Sequence, residues 1–359
     1  MIKTLSPHYK TIPWNSPSSA TVPNKYILNV YVWSGAKASV PTTFREYQNI
    51  NHLNRTTDTK VNISNYIKDF IDVSRVVNTT TSINDANSLV WVKTEVIYYI
   101  NNVAQTPEYV VTELASLGYG YSMEGINPTV PNDSNQFAPN YNVLFNPIEQ
   151  KVAKNSIHLL PFLVNELDGG IITVKSVSNT VDLSYFPSSN SNESVKCVWI
   201  DVSEFNTDEY IEILKDNVLI TTLLITDEQR HTPLDIVYIN KEGQLQTVTF
   251  FKEMREKLNR DSESYETSYG QAADGVHQFK TYNVKGSKSF SINSGFVKED
   301  NNEIFEQFFE SDSFWILKNN VYTPINLDSS NFEFKTLDKD RLINYKLDFK
   351  YSFTQKNSI

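Results

Sequence analysis

A chain of 359 residues with a net charge of −10 and a pI near 5.1 exceeds what one hydrophobic core usually serves, so it is expected to divide into domains. The acidity excludes a broad nucleic-acid footprint, which needs a basic stripe, and no run of about 20 apolar residues is present to cross a bilayer as a helix. A single cysteine excludes an internal disulfide and fits folding in a reducing cytosol. Residues 1–8 lack the apolar segment of a signal peptide, so neither membrane insertion nor the usual secretory route is expected. Aromatic residues make up 13% of the chain, mostly Tyr and Phe. With abundant Asn, Ser and Thr, they favour an all-β assembly protein over an α/β enzyme.

Residues 1–25 are polar and carry Pro7, Pro13, Pro17 and Pro23, which reads as an extended arm or linker. The run 26–33 is apolar on both faces except at Asn29, which predicts a central strand. Ile63, Tyr66, Ile67, Phe70 and Ile71 recur at helical spacing, with Ser64 placed as N-cap. A second strong strand is predicted over 89–100. From 116 to 150, Gly118, Gly120, Gly125, Pro128, Pro131, Pro139 and Pro147 interrupt regular structure. Tyr119, Tyr121, Phe137, Tyr141 and Phe145 are scattered among them. A loop this long is usually functional or disordered, and its aromatics argue against disorder. Two readings stay open. The loop packs on a neighbour, with those five aromatics as subunit contacts, or it covers its own domain.

Residues 157–186 read as short strands around Asp168-Gly169-Gly170. The Ser- and Asn-rich stretch 187–194 is the expected boundary. It divides the chain into an arm (1–25), a β domain (26–190) and a second β domain (193–359). Within the latter, 195–202 reads as a strand and 210–226 as a hairpin turning at Lys215-Asp216-Asn217. Residues 236–239 and 245–251 flank Asn240-Lys-Glu-Gly243, where Asn first and Gly fourth predict a type I turn. Residues 253–275 read as a charged loop, and 289–296 as a strand. Asp300 and Glu303 look like a capping box for a helix whose apolar stripe is Ile304, Phe305, Phe308 and Phe309. Strands are predicted over 314–317, 321–327 and 332–336. Finally Ile343, Tyr345, Leu347, Phe349, Tyr351 and Phe353 alternate with polar residues, a period of two that predicts a half-buried strand. The fold class read from this order is mainly β: two sandwich- or barrel-like domains, the second with one packed amphipathic helix.

Signals for chemistry are sparse. Cys197 sits within an apolar run and reads as a buried thiol. His8, His52, His158, His231 and His277 are scattered, with no second His or Cys at ligand spacing, so no metal is expected. The glycines at 118–125 do not follow a strand and open a helix, so no phosphate loop or other cofactor site is read there. Asp338 and Asp340 fall in a predicted turn, and Glu299 and Asp300 at a helix start. Turn geometry and the helix dipole account for both pairs without catalysis. The chain is therefore read as a non-enzyme.

The segment Thr232-Pro-Leu-Asp-Ile-Val-Tyr-Ile-Asn-Lys-Glu-Gly-Gln-Leu-Gln246 leads into Phe250-Phe251, then Phe290-Ser-Ile-Asn-Ser-Gly-Phe296, the Phe-rich helix and Phe314-Trp315. With the 26–35 and 61–71 segments, this pattern resembles structural tail proteins of tailed bacteriophages that infect Bacteroidetes-type bacteria. The strand–helix–strand order is similar to the sandwich of tail-tube and distal-tail proteins. The resemblance implies a virion component near the tail tip or baseplate, assembled in the host cytoplasm. It implies a homo-oligomeric ring, hexameric or trimeric, that contacts other tail proteins and neither reads nucleic acid nor inserts in membranes. The alternative reading is a receptor- or carbohydrate-binding module of a fibre or cell surface.

Overall fold

The computed structural model describes all residues except 17, 20, 44, 50–56, 74, 76–77, 87, 121–126, 128–142, 166–169, 186–192, 206–208, 268–276, 334–342 and 358–359. The fold is mainly β, with several packed sheets and one amphipathic helix near the C-terminus.

The N-terminal sheet is built on two long apolar strands. Lys25–Trp33 and Val90–Ile100 pair antiparallel, from Lys25 opposite Tyr99 to Trp33 opposite Trp91. Arg45–Asn49 and Glu108–Ser116 flank them, so the first strand is central as its two-sided apolar pattern predicts. One face buries Tyr26, Leu28, Val30, Val92, Val96 and Tyr98. The other buries Tyr31, Trp33, Trp91 and Leu114.

Residues 1–25 are not a free arm. Ile2–Lys3 extends the sheet in parallel alongside Ala115 and Ser116, and Tyr9–Ile12 pairs with Thr59–Asn62. Ile2 and Ile12 are fully buried, so burial of two isoleucines outweighs the extended signal of the prolines. The helix expected after 63 is one turn, Ser64–Ile67, followed by a 3-10 turn, Lys68–Phe70. Asn62 Oδ1 accepts from the Ser64 N–H and hydroxyl at 3.1 and 2.8 Å, so Asn62, not Ser64, satisfies the turn. Ile63, Ile67 and Ile71 enter the core, whereas Phe70 is exposed because so short a turn leaves it beyond the packed face.

A middle sandwich faces a three-stranded sheet against a five-stranded one. The first holds Ile157–Asn165, Glu193–Asp201 and Ser82–Ala86. The second runs Gln150–Ala153, Val218–Thr226, Tyr210–Lys215, Gly170–Lys175 and Thr180–Tyr185. Phe162, Val198 and Ile200 from the first meet Ile172, Ile213 and Leu223 from the second. Pairing thus runs across the segment expected to divide two domains: Ile157 lies opposite Asp201, and Ile172 opposite Lys215. The 210–226 hairpin turns at Asp216 and Asn217, both at positive φ, as short hairpins of right-handed twist require.

The C-terminal sheet runs Leu245–Phe250, Leu234–Ile239, Phe314–Lys318, Val321–Leu327, Lys346–Tyr351, Phe279–Asn293 and Arg255–Glu266. Ile343, Tyr345, Leu347 and Phe349 are buried as the alternation predicts; Phe353 is exposed. The helix Asn302–Glu310 lays Ile304, Phe305 and Phe308 on this core. No capping box forms. A 3-10 turn, Glu299–Asn301, precedes the helix, so Asp300 is not at the N-cap, and Glu303 pairs with Lys241 at 2.8 Å. Asn240 to Gly243 is the expected turn, closed by the Gly243 N–H donating to Asn240 O at 2.8 Å, with Gly243 at φ +78°.

Two further expectations are corrected. Residues 328–333 carry no strand, and 334–342, with Asp338 and Asp340, lie outside the described residues. Arg255–Glu266 is a twelve-residue strand, not a loop. Every position of it is exposed, so no buried face imposed the two-residue period that marks a strand.

Candidate assembly surfaces

Two of the five aromatics expected at subunit contacts lie among the described residues, and both are engaged inside the chain. Phe145 is buried in the middle core, edge-on to Phe162 with ring centroids 5.3 Å apart. Tyr119 is half-buried; its hydroxyl donates to Gln307 O at 2.8 Å and its N–H to Lys241 O at 2.9 Å. Burial holds its phenol above the ordinary tyrosine range, with the nearby carboxylates adding to the effect. Tyr121, Phe137 and Tyr141 lie outside the described residues. Within this loop Asn127 exchanges hydrogen bonds with the Tyr9 backbone, and toward its end Val143 bridges Phe162.

The 240–243 turn joins the three units. Glu242 pairs with Lys3 at 2.8 Å, Asn240 Nδ2 donates to Leu144 O at 2.7 Å, and Ser88 hydrogen-bonds Gln244. Gly118 and Gly243 let the two backbones touch: a Cβ on Gly243 would lie 2.5 Å from Gly118 N. Beside the turn, Leu159, Cys197 and Trp199 pack on Val237, Ile239, Leu245 and Trp315. That contact buries Val237 and Ile239 on the outer face of the strand, while Ile236 and Tyr238 face the helix-covered core, which explains why 236–239 reads as a continuous apolar run.

Among the described residues no group of three His, Cys, Asp or Glu is placed to hold a metal. Burial pushes His158 down to about 4, and burial with nearby Lys10 does the same to His8. Desolvation pushes the Asp235 carboxyl up to about 7, although Thr249 Oγ1 donates to it at 2.6 Å. Burial pushes the Cys197 thiol up to about 12, which leaves it almost wholly protonated near neutral pH. In the native protein Cys197 is expected to react with Ellman's reagent on the order of a thousandfold more slowly than an exposed thiol, the rate following thiolate fraction. Full reactivity before unfolding would contradict this placement.

The hairpin of Arg255–Glu266 and Phe279–Asn293 is the feature that sequence reading missed. Its inner end continues the sheet at Phe290 and Ile292. Its outer end has solvent on both faces: Tyr265, Phe279 and Tyr282 are 50, 62 and 47% exposed, and Leu258, nearer the sheet, is 67% exposed. The tyrosines meet edge to face at 5.6 Å. The register explains how both faces become apolar. Tyr265 and Tyr282 lie on one side, and Phe279, opposite Glu266, lies on the other. A signal was present in the alternation of charges over 255–266, a common guard of edge strands.

No family model, no curated protein and no solved structure matches this chain.

Proposed function

We propose that this chain is a structural component of a phage tail, one of several copies forming a ring near the tail tip or baseplate and linking tube to tip proteins. It makes and breaks no covalent bond, and its place is in the virion after assembly in the host cytoplasm. The observation that carries this reading is the projecting hairpin. A two-stranded hairpin is marginal alone in water, and an outer strand offers unpaired backbone groups along its length. Aromatic side chains exposed on both faces of such an arm are suited to lying between neighbours. The tail-like pattern of the sequence supplies the identity of the assembly, and the β-rich sheets with one packed helix are consistent with it.

The test is the solution mass by light scattering, with negative-stain images of the same sample. The wild type is expected to form rings or ring fragments. A Tyr265→Ser/Phe279→Ser double variant is expected to lose them while keeping its fold, since both side chains are exposed. A wild type that stays monomeric at micromolar concentration, alone and with lysate from phage-infected cells, would overturn the reading.

A further inference from the structure

The C-terminal sheet carries opposite charge on its two sides. A groove of about 520 Å³ has Arg230, His231, Lys252, Arg255 and Lys346 in its lining against one acid, Glu253. Lys252 is paired with Glu228 and Arg255 with Glu253, both at 3.1 Å. Among the described residues, the side chains of Arg230, His231 and Lys346 take part in no ion pair. Ser291 and Asn293, also in the lining, alternate with Phe290 and Ile292, whose side chains enter the helix-covered core. The groove therefore opens on the face away from the helix.

On the other face, the helix turns acids outward. Glu306 and Glu310 lie four residues apart, a spacing at which like charges repel, and Asp312 follows at the helix end. Burial and Glu306 both hold the Glu310 carboxyl above its ordinary range. Lys241 acts on Glu310 but is already paired with Glu303 at 2.8 Å. A basic groove on a chain of net charge −10, set opposite an acidic face, is a pair of complementary surfaces on one molecule.

We propose that these surfaces are the two halves of one contact between copies: Glu310 and Asp312 of one copy enter the groove of the next and complete it opposite Arg230 and Lys346. A contact between unlike patches is head-to-tail, and it closes into a ring when the rotation permits. The proposal rests on the ring reading above but names a contact distinct from the hairpin.

Charge exchange tests it. All four residues are exposed, so Arg230→Glu/Lys346→Glu and Glu310→Lys/Asp312→Lys should both keep the wild-type circular dichroism and melting temperature. At low salt each variant alone is expected to lose the wild-type assembled mass. An equimolar mixture is expected to regain it, because every groove again meets a patch of opposite sign. Independently, the wild-type mass should fall as salt rises. Either variant assembling alone like wild type, or a mass indifferent to salt, overturns the charge contact and leaves the ring reading standing. A wild type monomeric at every salt concentration overturns both. If the groove variant keeps its mass but loses binding to polygalacturonate, the groove belongs to an acidic glycan and the proposal fails.

Discussion

Glu242→Ala is expected to destabilise the protein by about 3–5 kcal/mol, the usual cost of leaving a buried charge without its partner. Lys3 and Glu242 meet at 2.8 Å with side chains only 3 and 4% exposed, 239 positions apart in sequence. The ammonium left by the substitution cannot reach water without undocking Ile2–Lys3 from the sheet. The same turn is sealed by the close approach of Gly118 to Gly243, so the chain around Lys3 has little room to relax. The measurement is the urea midpoint of the first unfolding transition. The double variant Lys3→Met/Glu242→Leu should recover most of the loss, since removing both charges also removes both desolvation costs. A loss under about 1 kcal/mol for the single variant would show a pair that water reaches, as at a surface salt bridge, and would contradict the docking of the N-terminus on this turn.

Phe308→Ala is expected to cost about 3–5 kcal/mol, the range for deleting a fully buried aromatic ring. Phe308 contacts Tyr238, Phe250, Phe314 and Phe349, with ring centroids 5.0, 5.5, 5.0 and 6.1 Å away. It is where the helix meets strands from distant parts of the sheet. Phe309→Ala is the control. That ring is half-buried at the margin of the core and lies 5.5 Å from Phe332, so roughly 1 kcal/mol is expected, near the centre of ordinary substitutions. Thermal melts followed by near-ultraviolet circular dichroism compare the two. Equal losses at both positions would contradict the observed direction of the helix.

What could be read from sequence follows from how much each element depends on its own side chains. The alternation ending at Phe349 and the stripe of Ile304, Phe305 and Phe308 declare one buried face each, and both bury it as read. The turns at Asp216-Asn217 and Asn240–Gly243 declare themselves through residues that tolerate or require unusual backbone. The capping box did not form because a 3-10 turn occupies the positions before the helix. The division at 187–194 misled for another reason. A polar, Ser-rich stretch shows where the chain leaves a core, not whether the next strand returns to it. Here Glu193–Asp201 returns to pair with Ile157–Asn165.

The candidate surfaces were less legible than the fold. Of the aromatics singled out, Phe145 serves the middle core and Tyr119 holds the loop to the helix. The residues that carry the functional reading lie in a segment whose sequence reads as a loop, because a strand wet on both sides has no periodicity to show. The groove escaped notice because Arg230, Lys252 and Lys346 are far apart in the chain and meet only through strand order.

By itself the sequence determined that this is a β-rich chain of more than one core, with a half-buried strand near its end and one amphipathic helix. Those properties depend on neighbours within a few residues, which periodicity and turn chemistry report directly. Tertiary structure alone decided that residues 2–12 belong to the first core, that Lys3 meets Glu242, and that one sheet carries a basic groove opposite an acidic helix. Each of these depends on partners tens to hundreds of residues away, and no local pattern encodes which strand will lie beside which.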